Sequence, residues 1–187
     1  MIAVFLAEGF EEVEALTVVD VLRRAGLKVC TVAVTGSLVA DSSGISAVMG
    51  SHGIPIIADI AEVDLDCTTL QAVILPGGLP GAYNLAASPT VTRALEYAAE
   101  HNLIIGAICA APLVLGRRGL LHNHRATCFP GHEGELAGAV ISRESVEVSG
   151  HIVTARAIGS AMTFALTLTT LLAGEDTATQ VKDKMMM

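Results

Sequence analysis

The sequence predicts an α/β protein, a mostly parallel central sheet with helices on both faces. Three observations carry this. Short runs of Val, Ile, Leu and Ala alternate along the chain with segments of helical spacing. Hydrophobic residues make up 52% of the 187 residues while aromatics are only 3% and Trp is absent. The core must therefore be built from aliphatic side chains, the mix expected of buried parallel strands and the helices that cover them. Charged residues are 16%, too few for a disordered chain. No repeat, linker or composition break divides the sequence, so residues 1–187 are expected to form one domain.

Residues 2–6 read as a buried strand, with Gly9 ending the turn after it. Residues 11–25 have helical spacing with Val13, Leu16, Val19 and Leu22 apolar, and Gly26 stops the helix. A second strand follows over 29–34. The Gly- and Ser-rich stretch 36–53 contains alternating pieces such as Ile45-Ser46-Ala47-Val48, which predict hairpins. Residues 55–57 lead into an acidic turn or short helix around 59–66. Residues 72–75 are a third buried strand, closed by Pro76-Gly77-Gly78. Ser88 before Pro89 is an N-cap with proline at the first helical position, opening a helix to about His101. Residues 103–108 are a fourth core strand running into a helix over 110–118. Strands at 126–129 and 151–154 and helices at 159–172 and 175–182 complete the order.

Composition also excludes. The formal net charge is −8 with no basic face, so specific nucleic-acid binding is not expected. The first six residues are apolar but lack a basic lead and meet Glu8 and Glu11 at once, unlike a signal peptide. No apolar run reaches the roughly 18 residues of a membrane span. Cys30, Cys67, Cys109 and Cys128 show no paired spacing, so neither a zinc site nor a disulfide framework is expected, and a reducing cytoplasm is. Dinucleotide and Walker fingerprints are missing, and no cofactor is implied.

Sites on such sheets lie outside the carboxyl ends of the strands. Three loops sit there: 8–14, 76–81 and 106–112. In the third, a buried strand runs straight into Cys109 and then Ala110-Ala111-Pro112, the pattern of a nucleophile elbow. Small neighbours permit the sharp turn, and amides at the start of the following helix should lower the thiol pKa. The other reading of Cys109 is a small buried hydrophobe. Gly77 and Gly78 offer unhindered N–H groups for an oxyanion, or form a plain turn. Glu14 falls on an apolar stripe with Val18, Val21 and Ala25, where a carboxylate is costly unless paired or protonated. The spacing alone favours a solvated first-turn glutamate, as expected for Glu11 and Glu12. His122 and His124 read as a solvated loop with a metal site as the sharper alternative, and His132 as surface with a base as the sharper alternative.

The stretches Ala7-Glu8-Gly9-Phe10-Glu11-Glu12-Val13-Glu14, Val19-Asp20-Val21-Leu22-Arg23-Arg24-Ala25-Gly26, Leu75-Pro76-Gly77-Gly78 and Ala107-Ile108-Cys109-Ala110-Ala111-Pro112 together resemble the ThiJ/PfpI superfamily. Within it they are closest to the branch of the parkinsonism-associated deglycase and its bacterial ThiJ-like relatives. The resemblance implies a flavodoxin-like sandwich, a homodimer, and Cys109 as a strained, readily oxidised elbow cysteine. It makes Glu14 the carboxyl partner of that sulfur and gives the backbone amides of Gly78 and Ala110 to the oxyanion. Gly77, Ala111, Phe129 and Arg24 become pocket candidates. Departures are visible. Phe129 stands where some members carry a His before the Pro that is Pro130 here, which excludes a Cys–His dyad at that position. Ala110 replaces the protease branch's His, and a pocket arginine of some members aligns near His52.

The function so implied is a cysteine-dependent enzyme of oxidative and carbonyl stress. It would be a glutathione-independent glyoxalase converting methylglyoxal to lactate, or a deglycase of glycated side chains, without metal or organic cofactor. The competing class is a redox sensor or holdase chaperone in which oxidation of Cys109 is the output.

Overall fold

The computed structural model describes residues 1–34, 38–40 and 46–187. In chain order its elements are β1 (Ile2–Leu6), α1 (Glu12–Arg24), β2 (Val29–Ala33), β3 (Leu38–Ala40), β4 (Ser46–Met49), β5 (Pro55–Ile57), β6 (Ile60–Ala61), β7 (Ala72–Leu75), α2 (Gly81–Ala87) and α3 (Pro89–Glu100). Then follow β8 (Ile104–Ile108), α4 (Pro112–Gly116), β9 (Arg125–Ala126), β10 (Val140–Ile141), β11 (Val146–Ser149), β12 (Ile152–Ala155), α5 (Ala161–Ala173) and α6 (Glu175–Lys184). Seven strands make the central sheet in the order β11-β12-β8-β7-β1-β2-β6, parallel throughout except for β11 at one edge. Helices cover both faces, so the chain is a flavodoxin-like three-layer sandwich.

The continuous apolar strands follow from being covered twice. Along β1, Ala3 and Phe5 join the layer containing α3 and α4, while Ile2, Val4 and Leu6 join the layer containing α1 and α5. Every one of these side chains is fully buried, and each large one contributes about 1.5–3 kcal/mol to the folded state. Ser88 caps α3 as its sequence predicts, its Oγ accepting from the Val91 amide at 3.2 Å.

Several boundaries differ from expectation. On α1 the buried residues are Glu12, Glu14, Ala15, Val18, Val19, Val21 and Leu22, whereas Val13 is 49% exposed. The apolar stripe is therefore rotated from the expected one, because carboxylates of the first turn point inward. The expected strand over 126–129 stops at Ala126, and β9 pairs with β10 outside the central sheet. Beyond it the Thr127 amide donates to Thr154 Oγ1 and the Phe129 amide to the Cys109 carbonyl, so neither is free for a ladder. The helix expected over 110–118 is only the five residues of α4, since the chain leaves β8 through tight turns (Ala111 N–H to Ile108 O, Leu113 N–H to Ala110 O). The sequence does not predict α2, β10 or β11, nor β6, which forms the sheet edge inside the stretch 59–66 expected as a turn or short helix. The expected hairpins are seen in the antiparallel β3-β4-β5 sheet, while residues 35–37 and 41–45 lie outside the described residues.

Candidate active site

The strand order brings β1, β7 and β8 side by side, so the loops after them converge at one end of the sheet. Cys109 follows β8 with φ +64°, in the left-handed region that a non-glycine residue rarely occupies. Such a conformation costs of order 1–3 kcal/mol and persists only where its surroundings enforce it. Here the Cys109 amide donates to the Ala155 carbonyl at 2.9 Å, and its carbonyl accepts from the Phe129 amide at 2.8 Å. The backbone is thus pinned on both sides, and the elbow expected from the sequence is present.

Glu14 is not solvated. It is 1% exposed, and its Oε2 accepts from the Gly77 amide at 2.9 Å. Oε1 is buried without a hydrogen-bond partner among the described residues, and the Cys109 thiol is the side chain that meets the carboxyl group. Gly77 has no room for a side chain, because a Cβ there would lie 2.6 Å from both Cys109 Cβ and Glu14 Oε2. Its amide serves the carboxyl group. The amides that face the Cys109 sulfur are those of Gly78 and Ala110.

Burial pushes the Glu14 carboxyl up to about 7, against the opposing hydrogen bonds from Gly77 and Cys109. Burial and then the neighbouring Glu14 push the Cys109 thiol up to about 12, against the Gly78 and Ala110 amides. The expected amides are in place, and burial and the Glu14 carboxyl work against them. One of these amides comes from the loop after β7 and the other from the residue after Cys109, and burial outweighs them. The two values belong to the pair, which gives up its first proton near neutrality and holds the second to high pH.

Glu11 and Glu12 also depart from expectation, at 7% and 3% exposure. Glu11 caps α1, its Oε2 accepting from the Glu14 amide at 2.7 Å. Glu12 ties the turn after β4 to α1, with Oε1 accepting from the His52 amide (2.7 Å) and the Ile54 amide (3.4 Å). Its Oε2 lies 3.0 Å from His52 Nδ1 and accepts from Ser51 Oγ at 3.3 Å. Burial works to raise the Glu12 carboxyl, but these bonds, His52 foremost, hold it below the ordinary value.

A cleft of about 310 Å³ opens over the sulfur, lined by Glu11, Ser51, His52, Gly78, Leu79, Cys109, Ala110, Phe129 and His132. Half-exposed Leu79 and Phe129 form apolar walls, and the His132 ring meets Phe129 edge-on at 6.3 Å. Of the sequence-predicted pocket residues, Phe129 lines the cleft, Gly77 lies against Cys109 Cβ and Glu14, and Ala111 is fully buried in the core rather than lining the cleft. Arg24 does not belong to the site. It closes the far end of α1, roughly 15 Å along the axis from Glu14, where its Nε donates to Asp20 Oδ2 at 2.6 Å. Ser51, Leu79 and the inward turn of Glu11 were missed, since nothing local in the sequence joins residues 50–54 to the start of α1. Among the other cysteines, Cys128 is buried in the core with its thiol pushed up to about 11, chiefly by burial.

A half-buried cysteine in a left-handed elbow, with a buried carboxyl against its sulfur and two amides aimed at it, defines a cysteine-elbow protein of the flavodoxin-like class. The sequence model of the DJ-1/PfpI family matches residues 1–171, and the chain belongs to that family. The Parkinson disease protein 7 homolog of Danio rerio is 35% identical over 183 residues, covering 96% of this chain and 93% of its own length. The glutathione-independent glyoxalase DJR-1.2 of Caenorhabditis elegans is 33% identical over 171 residues, covering 90% of this chain and 86% of that protein. The chain spans only 40% of another relative, the Protein DJ-1 homolog B of Arabidopsis thaliana, at 34% identity over 97% of this chain. Among solved structures, oxidized DJ-1 of Toxoplasma gondii superposes with a TM-score of 0.90 at 30% identity, covering 99% of this chain and 97% of that one.

Proposed function

We propose that the protein is a cofactor-independent glyoxalase or deglycase acting on small reactive dicarbonyls or their adducts through Cys109 and Glu14. The observation that carries this is the buried Glu14 carboxyl placed against an elbow sulfur beneath an open cleft. The glyoxalase name of the Caenorhabditis elegans relative supports the choice of substrate class. The Cys109 thiolate attacks the aldehyde carbon of methylglyoxal, and protonated Glu14 neutralises the resulting alkoxide to give a hemithioacetal. Glu14, now a carboxylate, removes the proton from the former aldehyde carbon, and an enediol forms. Return of that proton to the adjacent carbon gives a lactoyl thioester. The Gly78 and Ala110 amides hold the oxyanion through these steps, while Leu79 and Phe129 take the methyl group.

The microstate required is a thiolate beside protonated Glu14. Two amides face the sulfur, and a protonated Glu14 carboxyl can add a third donor, so this state favours the anion on sulfur. The test is lactate formation from methylglyoxal without glutathione, together with limiting iodoacetamide near neutral pH. Wild-type protein should form lactate and be alkylated first at Cys109, and Cys109→Ser should do neither. The redox-sensor reading predicts instead that mild peroxide oxidises Cys109 with no lactate formed at any protein concentration.

We further propose a homodimer, in a reducing cytoplasm, with α1 near its interface. Val13 on α1 and Ile54, whose amide reaches Glu12 on the same helix, are both about half exposed and apolar. Light scattering at micromolar protein should return twice the chain mass, and the monomer mass would remove this assembly.

A further inference from the structure

We propose that His52, oriented by Glu12, is the general base that releases the acyl group from Cys109, a step that rests on the glyoxalase reading above. Thioester hydrolysis must end each turnover, and it needs a base facing the cleft that can accept a proton from water. Glu14 lies behind the sulfur and is committed to it. Glu11 caps α1 through Oε2, and its Oε1 lies 3.8 Å from His52 Nδ1, so it acts on the same histidine. His52 lines the same cleft as Cys109, and its side chain is 69% exposed.

The contacts of His52 set its tautomer. A carboxylate oxygen only accepts, so at 3.0 Å from Glu12 Oε2 the Nδ1 atom carries the hydrogen. The His52 amide donates to the other oxygen of the same carboxylate at 2.7 Å, which fixes the ring's base to the start of α1. Nε2 has no hydrogen-bond partner among the described residues, so its lone pair is available to water. A carboxylate that holds one imidazole nitrogen protonated and leaves the other free is the arrangement that makes histidine an effective base. Glu12 is thus a positioning residue and His52 the catalytic one. The hydrogen bond from Glu12, then its charge and that of Glu11, raise the His52 pKa, which strengthens the base.

The step balances. Water oxygen attacks the thioester carbonyl carbon as His52 Nε2 takes one of its protons, and the oxyanion rests on the Gly78 and Ala110 amides. Collapse breaks the carbon–sulfur bond, and its electron pair returns to Cys109 as thiolate. The acid product and His52 each pass a proton to solvent. The charged and titratable groups around His52 are Glu11 and Glu12 on α1, His132 and acylated Cys109 across the cleft, and Glu14 behind the sulfur.

The test separates this step from glyoxalase chemistry. p-Nitrophenyl acetate acetylates Cys109 directly, and intact mass follows loss of the acetyl group against pH. Wild-type protein should deacylate faster as pH rises through one ionisation. His52→Gln should acylate normally, deacylate about 10²-fold more slowly, and lose that ionisation. Glu12→Gln should keep the ionisation but move it to lower pH, which a merely structural role would not do. Deacylation of His52→Gln within about twofold of wild type, with the same pH profile, would overturn the assignment. His52-dependent deacylation by a wild type that forms no lactate from methylglyoxal would support the base and overturn only the glyoxalase reading.

Discussion

Glu14→Gln is expected to abolish turnover of methylglyoxal while leaving Cys109 reactive to iodoacetamide. The two outcomes separate because the carboxyl group has two jobs. As a hydrogen-bond donor to sulfur it can be replaced by an amide of nearly equal shape, whose oxygen can still accept from the Gly77 amide. As a proton shuttle it cannot be replaced, because an amide neither gives up nor takes a proton near neutrality. General acid–base catalysis at one site is worth about 10²–10⁴ in rate, and loss of that size is the prediction for lactate formation. Alkylation near neutral pH should change far less, by under about tenfold, the equivalent of one pH unit in the thiol's ionisation. Glu14→Leu should lose both functions. Equal lactate formation by wild type and Glu14→Gln would remove Glu14 from the reaction.

The same substitution should stabilise the fold at alkaline pH. Burial raises the Glu14 carboxyl from 4.5 to about 7 in the folded protein. Folded protein therefore holds one more proton than unfolded protein between those values. The stability tied to that proton is fully present below pH 4.5 and is lost as pH rises through about 7. Each pH unit of that interval is worth about 1.4 kcal/mol, so the whole loss is roughly 3 kcal/mol. Glu14→Gln carries no such ionisation. Denaturant unfolding should find it close to wild type near pH 4 and more stable by up to roughly 3 kcal/mol near pH 8. A stability difference that does not change with pH would mean that the Glu14 carboxyl is not shifted upward. The destabilised carboxyl is a cost the fold carries at its site, as functional sites often do.

Much of this was legible in the sequence, for physical reasons that can be named. Glu14 stood out because helical spacing placed a carboxylate on an aliphatic stripe, and only tertiary contact could decide whether it was solvated. The elbow at Cys109 was legible because a strand too apolar to be exposed ran into small residues and a proline. The parallel sheet followed from strands with no polar face. The inward turn of Glu11 and Glu12 was not legible. Glu12 is satisfied by Ser51, His52 and Ile54, some forty residues away, and no local pattern announces such a partner. The length of α4 was overestimated because helix propensity runs through 110–118, while the turns that release the chain from β8 consume its first residues. Arg24 lies in the matched stretch 19–26, and helix geometry puts that stretch at the end of α1 away from the cleft.

The thiolate of Cys109 reports most directly on the coupled pair, and its absorbance near ~240 nm can be followed against pH in wild type and Glu14→Leu. If protonated Glu14 supports the thiolate, the wild-type signal is already present near neutral pH. Glu14→Leu, deprived of the donor, then moves the midpoint upward by about one to two pH units, the worth of one charge-assisted hydrogen bond of about 1.5–3 kcal/mol. If instead Glu14 ionises first and its charge opposes the sulfur, the wild-type signal stays absent until near pH 12 and moves down in Glu14→Leu. That second pattern would contradict the account.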